Sequence, residues 1–237
     1  MPYRRLPNTD QARIRALKQA VGKGDSSSMY DMVISLKTLM EARNFLHRFE
    51  AAQEYYKQCF DNQSKSSHKH QSNVKVARLY VSHFIQVLNM SVLRGEIKKT
   101  NKELYGLPLD NYSVPDLTSE SAIAEWGHKT VQGEQTRTSH GGIPIYNPTI
   151  AKVKVHYDIF MEGYERQKNL QSITNRSLEE LSSMRDTADR IILDIWNQVE
   201  KNYENINPNE LRLDKCREYG IIYYYRTGEK QERLSAK

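Results

Sequence analysis

Cysteine is nearly missing from this chain. Cys59 and Cys216 are the only two in 237 residues, too few for a disulfide framework or for four zinc ligands. That scarcity fits a reducing cytoplasm. Glycine and proline number eleven and seven, well under the roughly 12% typical of soluble proteins, which favours long uninterrupted elements over a sandwich of short strands. No window approaches the ~18 apolar residues of a spanning helix. The opening Met1-Pro2-Tyr3-Arg4-Arg5-Leu6-Pro7 has charge but no apolar run of signal-peptide length after it. The expectation is a cytoplasmic protein without a membrane partner. Gly-rich phosphate loops, nucleophile elbows and paired Cys-x-x-Cys motifs are also missing.

What is present describes a soluble folded chain: 38% hydrophobic residues, 27% charged, and a formal net charge of +6. That charge is compatible with weak attraction to polyanions and identifies none. It is unevenly placed. Residues 1–24 hold six basic groups against Asp10, residues 65–102 hold eight against Glu96, and residues 177–210 hold eight acids against three bases. Either opposite segments lie against each other or the basic ones form a binding face.

Asn8-Thr9-Asp10 reads as a helix start, with Ile14, Leu17 and Val21 on one stripe and Gly22-Lys23-Gly24 as a stop. After Asp25-Ser26-Ser27-Ser28, apolar residues from Met29 to Phe60 recur at threes and fours, predicting a helix near 28–62. The polar run 62–72 predicts a solvated connection. From Leu79 to Leu93, ten of fifteen residues are apolar, so a helix near 74–104 should be central and buried on more than one side, with His83 as a satisfied core histidine. Thr118-Ser119-Glu120 opens a short helix through about 135. Asn147-Pro148 starts another, whose stripe Ile150, Val153, Tyr157, Phe160, Tyr164 falters between Gln167 and Asn175. Ser177-Leu178-Glu179-Glu180 has capping-box spacing, so the region is one long helix with a phase change or two helices meeting there. Ile221 to Arg226 is the strongest strand signal. Its candidate partners are residues 211–214, residues 143–146 or another subunit, and residues 227–237 read as a polar tail.

The fold class expected is all-α: a long antiparallel four-helix bundle with principal helices near 28–62, 74–104, 149–174 and 177–204. Short peripheral helices near 9–22 and 119–135 and a small C-terminal β element complete it. Residues 1–206 would form the bundle and 207–237 an extension packed on it.

A bundle is a common scaffold for carboxylate metal sites, which need Glu-x-x-His on two helices. Glu125-Trp126-Gly127-His128 is the only match, and one short match arises often by chance. His68 and His70 read as solvated. No metal or cofactor is therefore expected. Fifteen tyrosines against five phenylalanines suit surfaces wet on one side and apolar on the other, which singles out Tyr223, Tyr224 and Tyr225 as a protein-binding candidate. For nucleic acid the candidates are Arg4, Arg5, Arg13, Arg15, Lys98, Lys99 and Lys102.

The opening Tyr3-Arg4-Arg5-Leu6-Pro7-Asn8-Thr9-Asp10 and the closing Leu213-Asp214-Lys215-Cys216-Arg217-Glu218-Tyr219-Gly220-Ile221-Ile222-Tyr223-Tyr224-Tyr225-Arg226 resemble those of uncharacterised helical proteins from gut-type anaerobic bacteria. The resemblance implies a bacterial, helical protein and transfers no functional residue. The functional expectation is a non-enzymatic interaction or scaffold protein that binds a protein partner or itself. Nucleic-acid binding through the basic N-terminal helix and residues 94–102 is the alternative.

Overall fold

A computed structural model describes residues 2–26 and 32–226. Residues 28–31 of the helix expected near 28–62 and the polar tail 227–237 lie outside the described residues; residues 32–35 are described and are not helical, so that helix begins at Leu36. Among those described, the chain is all-α: α1 Asp10–Ser26, α2 Leu36–Leu93, α3 Glu120–Ser139, α4 Ile150–Ser183, α5 Arg185–Asn202 and α6 Asn209–Arg217. A 3-10 helix, Lys99–Tyr105, and two short strands, β1 Tyr3–Arg4 and β2 Tyr223–Tyr224, complete it.

The start signals at Asn8-Thr9-Asp10 and Thr118-Ser119-Glu120 act as read, whereas Pro148, expected as the first residue of its helix, stands two positions before α4 begins at Ile150. Thr9 caps α1, its hydroxyl and carbonyl both accepting from the Ala12 amide. Ser119 caps α3 by accepting from the Ala122 amide at 3.1 Å, and Thr149 accepts from the Lys152 and Val153 amides at the start of α4. The stop signals act less faithfully. Helix α1 runs through Gly22 and Gly24. Ser177 does not cap, because its hydroxyl donates back to the Thr174 carbonyl at 2.8 Å in the manner of a mid-helix serine. Helix α4 therefore passes through residues 167–177 unbroken, and the break falls at Met184.

The connection expected at 62–72 is corrected: these residues are helical, so the helices read as 28–62 and 74–104 are one element, α2, ending at Leu93. Gln63, Ser66 and Ser67 are half-buried and His70 is buried, so a helical period of covered positions continues through the polar run on side chains that hydropathy ignores. His70 is thus not solvated. Its ring lies 5.6 Å from that of Phe160, and Nε2 is 3.3 Å from a Glu120 carboxylate oxygen. The second half of α2 is buried on one face only, since Leu79, His83, Met90 and Leu93 are exposed. One 18-residue window of α2 has a mean hydropathy of 1.2 with 44% of it buried, so by length and composition it would cross a bilayer, a test that core helices of soluble proteins also pass.

The chain divides into two compact units, residues 1–59 with 174–237 and residues 60–173. In the first, α1, the start of α2, the end of α4 and α5 close over a core that includes Leu17, Phe49, Ile192 and Trp196, with Tyr219 and Ile221 from the C-terminal segment. In the second, Val81, Phe84, Ile85 and Leu88 of α2 pack with Tyr105, Ile123, Val153 and Phe160. The strand expected at 221–226 is shorter than read and finds a partner that was not among the candidates. It pairs antiparallel with β1, Tyr3 opposite Tyr224 and Arg4 opposite Tyr223.

Candidate binding pocket

The β1–β2 pairing brings the two ends of the described chain together in the first unit. At Gly220 the backbone has φ +85°, and a Cβ there would lie 3.1 Å from the Ala16 carbonyl of α1. Glycine lets the C-terminal segment turn and pass close against α1. Beyond it, Ile222 and Tyr224, together with Leu6, Trp196 of α5, Arg5 and Arg15, line a pocket of about 720 Å³. That volume is in the range of sites for small ligands or a few residues of peptide.

Most cations near the pocket are already spent. Arg4 donates to Asn197, lies 2.9 Å from a Glu200 carboxylate oxygen and sits 5.9 Å from the Trp196 ring. Arg13 is buried and donates twice to Asp189, at 2.8 and 2.9 Å, and that hydrogen bonding raises its already high pKa further. Lys18 pairs with Glu50 and Lys23 with Glu218. Arg4 and Arg13 thus lie against acids of 177–210, the first of the two arrangements their charges allowed, while Lys18 and Lys23 find acids outside that stretch. Arg5 and Arg15 differ. Both are exposed, and neither meets a carboxylate among the described residues. Arg5 rests 5.6 Å from the Tyr3 ring, a cation–π contact that uses none of its N–H groups on an acid.

The tyrosine triplet separates. The Tyr223 hydroxyl donates to Glu200 at 2.7 Å, and burial, then that carboxylate, push its pKa up. The Tyr224 ring is exposed at the pocket and 6.1 Å from Tyr3. Tyr225 accepts from Arg217 at 3.5 Å.

The remaining basic candidates belong to the second unit. Lys98 is exposed, and Lys99 pairs with Asp110. Lys102 is fully buried, donating to the Asn111 carbonyl at 2.6 Å and more weakly to that of Leu109, with Tyr112 4.1 Å away. Burial, and then Lys99, lower its pKa. Its ammonium closes a loop and does not face solvent, so its reading as a polyanion contact is corrected. The Glu125 and His128 side chains are exposed, and Glu125 pairs with Lys129.

A charged cluster not anticipated from sequence lies in the second unit. Glu134 is fully buried on α3. One carboxylate oxygen accepts from Arg137 Nη2 at 2.8 Å and the Ile145 amide at 3.0 Å; the other accepts from Arg137 Nε at 2.9 Å and the Tyr105 hydroxyl. Arg137 also donates to the Ile143 carbonyl at 2.8 Å. Every strong bonding position of Glu134 is filled, so the cluster fastens the 3-10 helix and residues 143–145 to α3. The only sequence signal was an acid and a base three apart, which exposed helix faces show as readily.

Comparison with protein families, with curated proteins and with solved structures finds no match to any of them.

Proposed function

We propose that the chain is a non-enzymatic interaction protein, acting in the cytoplasm, whose helices form a rigid bundle-like scaffold and whose pocket at the β1–β2 junction takes an acidic segment of a protein partner. One observation carries the reading: Arg5 and Arg15 keep open guanidinium groups on a pocket walled by Leu6, Ile222 and Tyr224, while Arg4, Arg13, Lys18 and Lys23 nearby are each spent on a carboxylate. Guanidinium forks pair with carboxylates, and the apolar wall beside them suits a hydrophobic residue flanked by Asp or Glu. No acid or imidazole lines the described pocket, so its polar groups are suited to holding a ligand.

Nucleic acid is the second reading, since the same forks meet phosphates. It is supported less, because Arg13 and Lys102 are committed inside the fold.

Fluorescence polarisation tests this with a labelled peptide alternating Glu and Phe, a matched Gln-and-Phe peptide and a DNA single strand. Preferential binding of the acidic peptide is expected, weakened at least tenfold in Arg5→Gln/Arg15→Gln with thermal stability unchanged. Equal binding of both peptides, or tighter binding of DNA with a steep salt dependence, would overturn the proposal.

A further inference from the structure

We propose that the second unit holds a site for a phosphate group, in a pocket of about 370 Å³ lined by the 3-10 helix and the residues that end α3. Arg137, only 4% exposed, borders it. Its Nε and Nη2 are spent on Glu134, the Tyr105 hydroxyl and the Ile143 carbonyl. The third nitrogen, Nη1, makes no hydrogen bond and is not sealed by its neighbours. It lies on the side of the guanidinium turned away from the edge that Glu134 holds. Gly142 leaves that side open, since a Cβ there would stand 2.8 Å from Nη1, and Gly142 lines the same pocket.

Further donors converge on this space from other segments. Lys98 and His140 are exposed at the pocket, and neither side chain meets an acid among the described residues. The half-buried Asn101 adds an amide. Glu96, the one acid in the described lining, is held through both carboxylate oxygens by Arg94, at 2.7 and 2.9 Å. The last carbonyls of α3 are answered as well: those of Thr136, Arg137 and Thr138 accept from the His140, Gly142 and Gly141 amides. The pocket therefore presents donors while its acids and carbonyls are already engaged.

The arrangement favours phosphate over carboxylate. A carboxylate pairs best with the two-nitrogen edge of a guanidinium, and Glu134 already occupies that edge. What remains is a set of single donors on separate segments, Nη1, the Lys98 ammonium and the Asn101 amide, with Lys98 supplying charge that no acid offsets. Such a set suits a tetrahedral group whose oxygens are met from different directions. A second pocket of about 420 Å³ shares Glu96, Ile97 and Ile143 with the first and adds Val87, Pro144 and Ile145. It gives an apolar place for the body of a small phosphate monoester.

Isothermal titration calorimetry of the full chain at low salt tests this with phenyl phosphate, inorganic phosphate and benzoate. Both phosphates are expected to bind, and benzoate at least tenfold more weakly. Tighter binding of phenyl phosphate would assign the site to an organic monoester, and equal binding to phosphate itself; either supports the site. Lys98→Gln/His140→Gln should weaken phosphate binding at least tenfold, and Asn101→Asp, which sets a carboxylate among the donors, should do the same, all with unfolding midpoints unchanged. Lys75→Gln, an exposed cation of the same unit outside the pocket, should behave as the parent does. No heat with either phosphate, benzoate binding as tightly as phenyl phosphate, or phosphate affinity that survives the Lys98, His140 and Asn101 changes would each overturn the proposal. So would loss of phosphate binding in Arg5→Gln/Arg15→Gln, which would place the anion in the first unit.

Discussion

Arg13 and Asp189 are joined by two parallel hydrogen bonds, from Nε at 2.8 Å and Nη2 at 2.9 Å, which tie α1 to α5. Asp10, one turn before Arg13, is held in turn by Arg185 at 2.9 Å through both carboxylate oxygens. The Asp189 side chain keeps 27% of its surface, so removing its partner costs less than it would in a dry interior. Arg13→Leu should lower stability by about 2 kcal/mol in urea unfolding. Asp189→Leu added to it should cost less than the two single changes summed, since the second removes a charge already left without its partner.

Three tyrosines make the fold sensitive to alkali. Burial is the main cause at Tyr105, Tyr203 and Tyr223, and it pushes each pKa above the ordinary phenol value, with Glu134, Tyr219 and Glu200 respectively adding to the effect. A folded pKa above the unfolded one means that the folded state holds the proton more tightly. The contribution to stability is fully present below about pH 10, where both states are protonated, and is lost as pH rises beyond that value. Tyr105→Phe should cost about 1–2 kcal/mol at neutral pH through the lost hydroxyl and should flatten the decline above pH 10. An equal decline in the variant, followed by circular dichroism against pH, would remove Tyr105 from this account.

How far the sequence could be read depended on which side chains carried the helical period. The caps at Thr9 and Ser119 rest on local hydrogen bonds and were legible. So was the apolar face Ala77, Val81, Phe84, Leu88 and Val92, all of it buried. The middle of α2 was not, because Gln63, Ser66, Ser67 and His70 supply the covered side there and read as a polar connection. The partner of β2 is more than 200 positions away in sequence, and a two-residue strand at Tyr3–Arg4 has no pattern to find. At the pocket, Arg5, Arg15 and Tyr224 were candidates by residue type alone. Their separation from Arg4, Arg13, Lys99 and Lys102 was set by which carboxylates and carbonyls the fold placed nearby, and composition carries no trace of that.

Two glycines on exposed-looking helices should respond in opposite directions to alanine. At Gly22 in α1 a Cβ would meet nothing within 4 Å, so Gly22→Ala should raise stability by about 0.5–1 kcal/mol through backbone entropy alone. At Gly133 in α3 a Cβ would lie 2.6 Å from a Tyr105 ring carbon and 2.7 Å from the Leu104 carbonyl. Something must move, and the ring is held by the Glu134 cluster. Gly133→Ala should therefore destabilise by about 1–3 kcal/mol. Paired chemical unfolding curves with opposite midpoint shifts would bear this out, and shifts of the same sign would not.

The polar middle of α2 offers the sharpest contrast between a helix and a connection. Lys65 is exposed and its side chain has no ion-pair partner among the described residues, so a change there alters the backbone and little else. In a solvated connection, proline at this position would be tolerated. In the interior of a helix it removes one backbone hydrogen bond and its ring crowds the carbonyl four residues earlier, costing about 3 kcal/mol or more. Lys65→Pro should lower the unfolding midpoint markedly and reduce the helical signal in far-ultraviolet circular dichroism. Lys65→Ala, which improves helix propensity slightly, should do neither. If proline were as harmless as alanine, residues 62–72 would be a connection after all, and the covered positions Gln63, Ser66, Ser67 and His70 would need another explanation than a shared helical face.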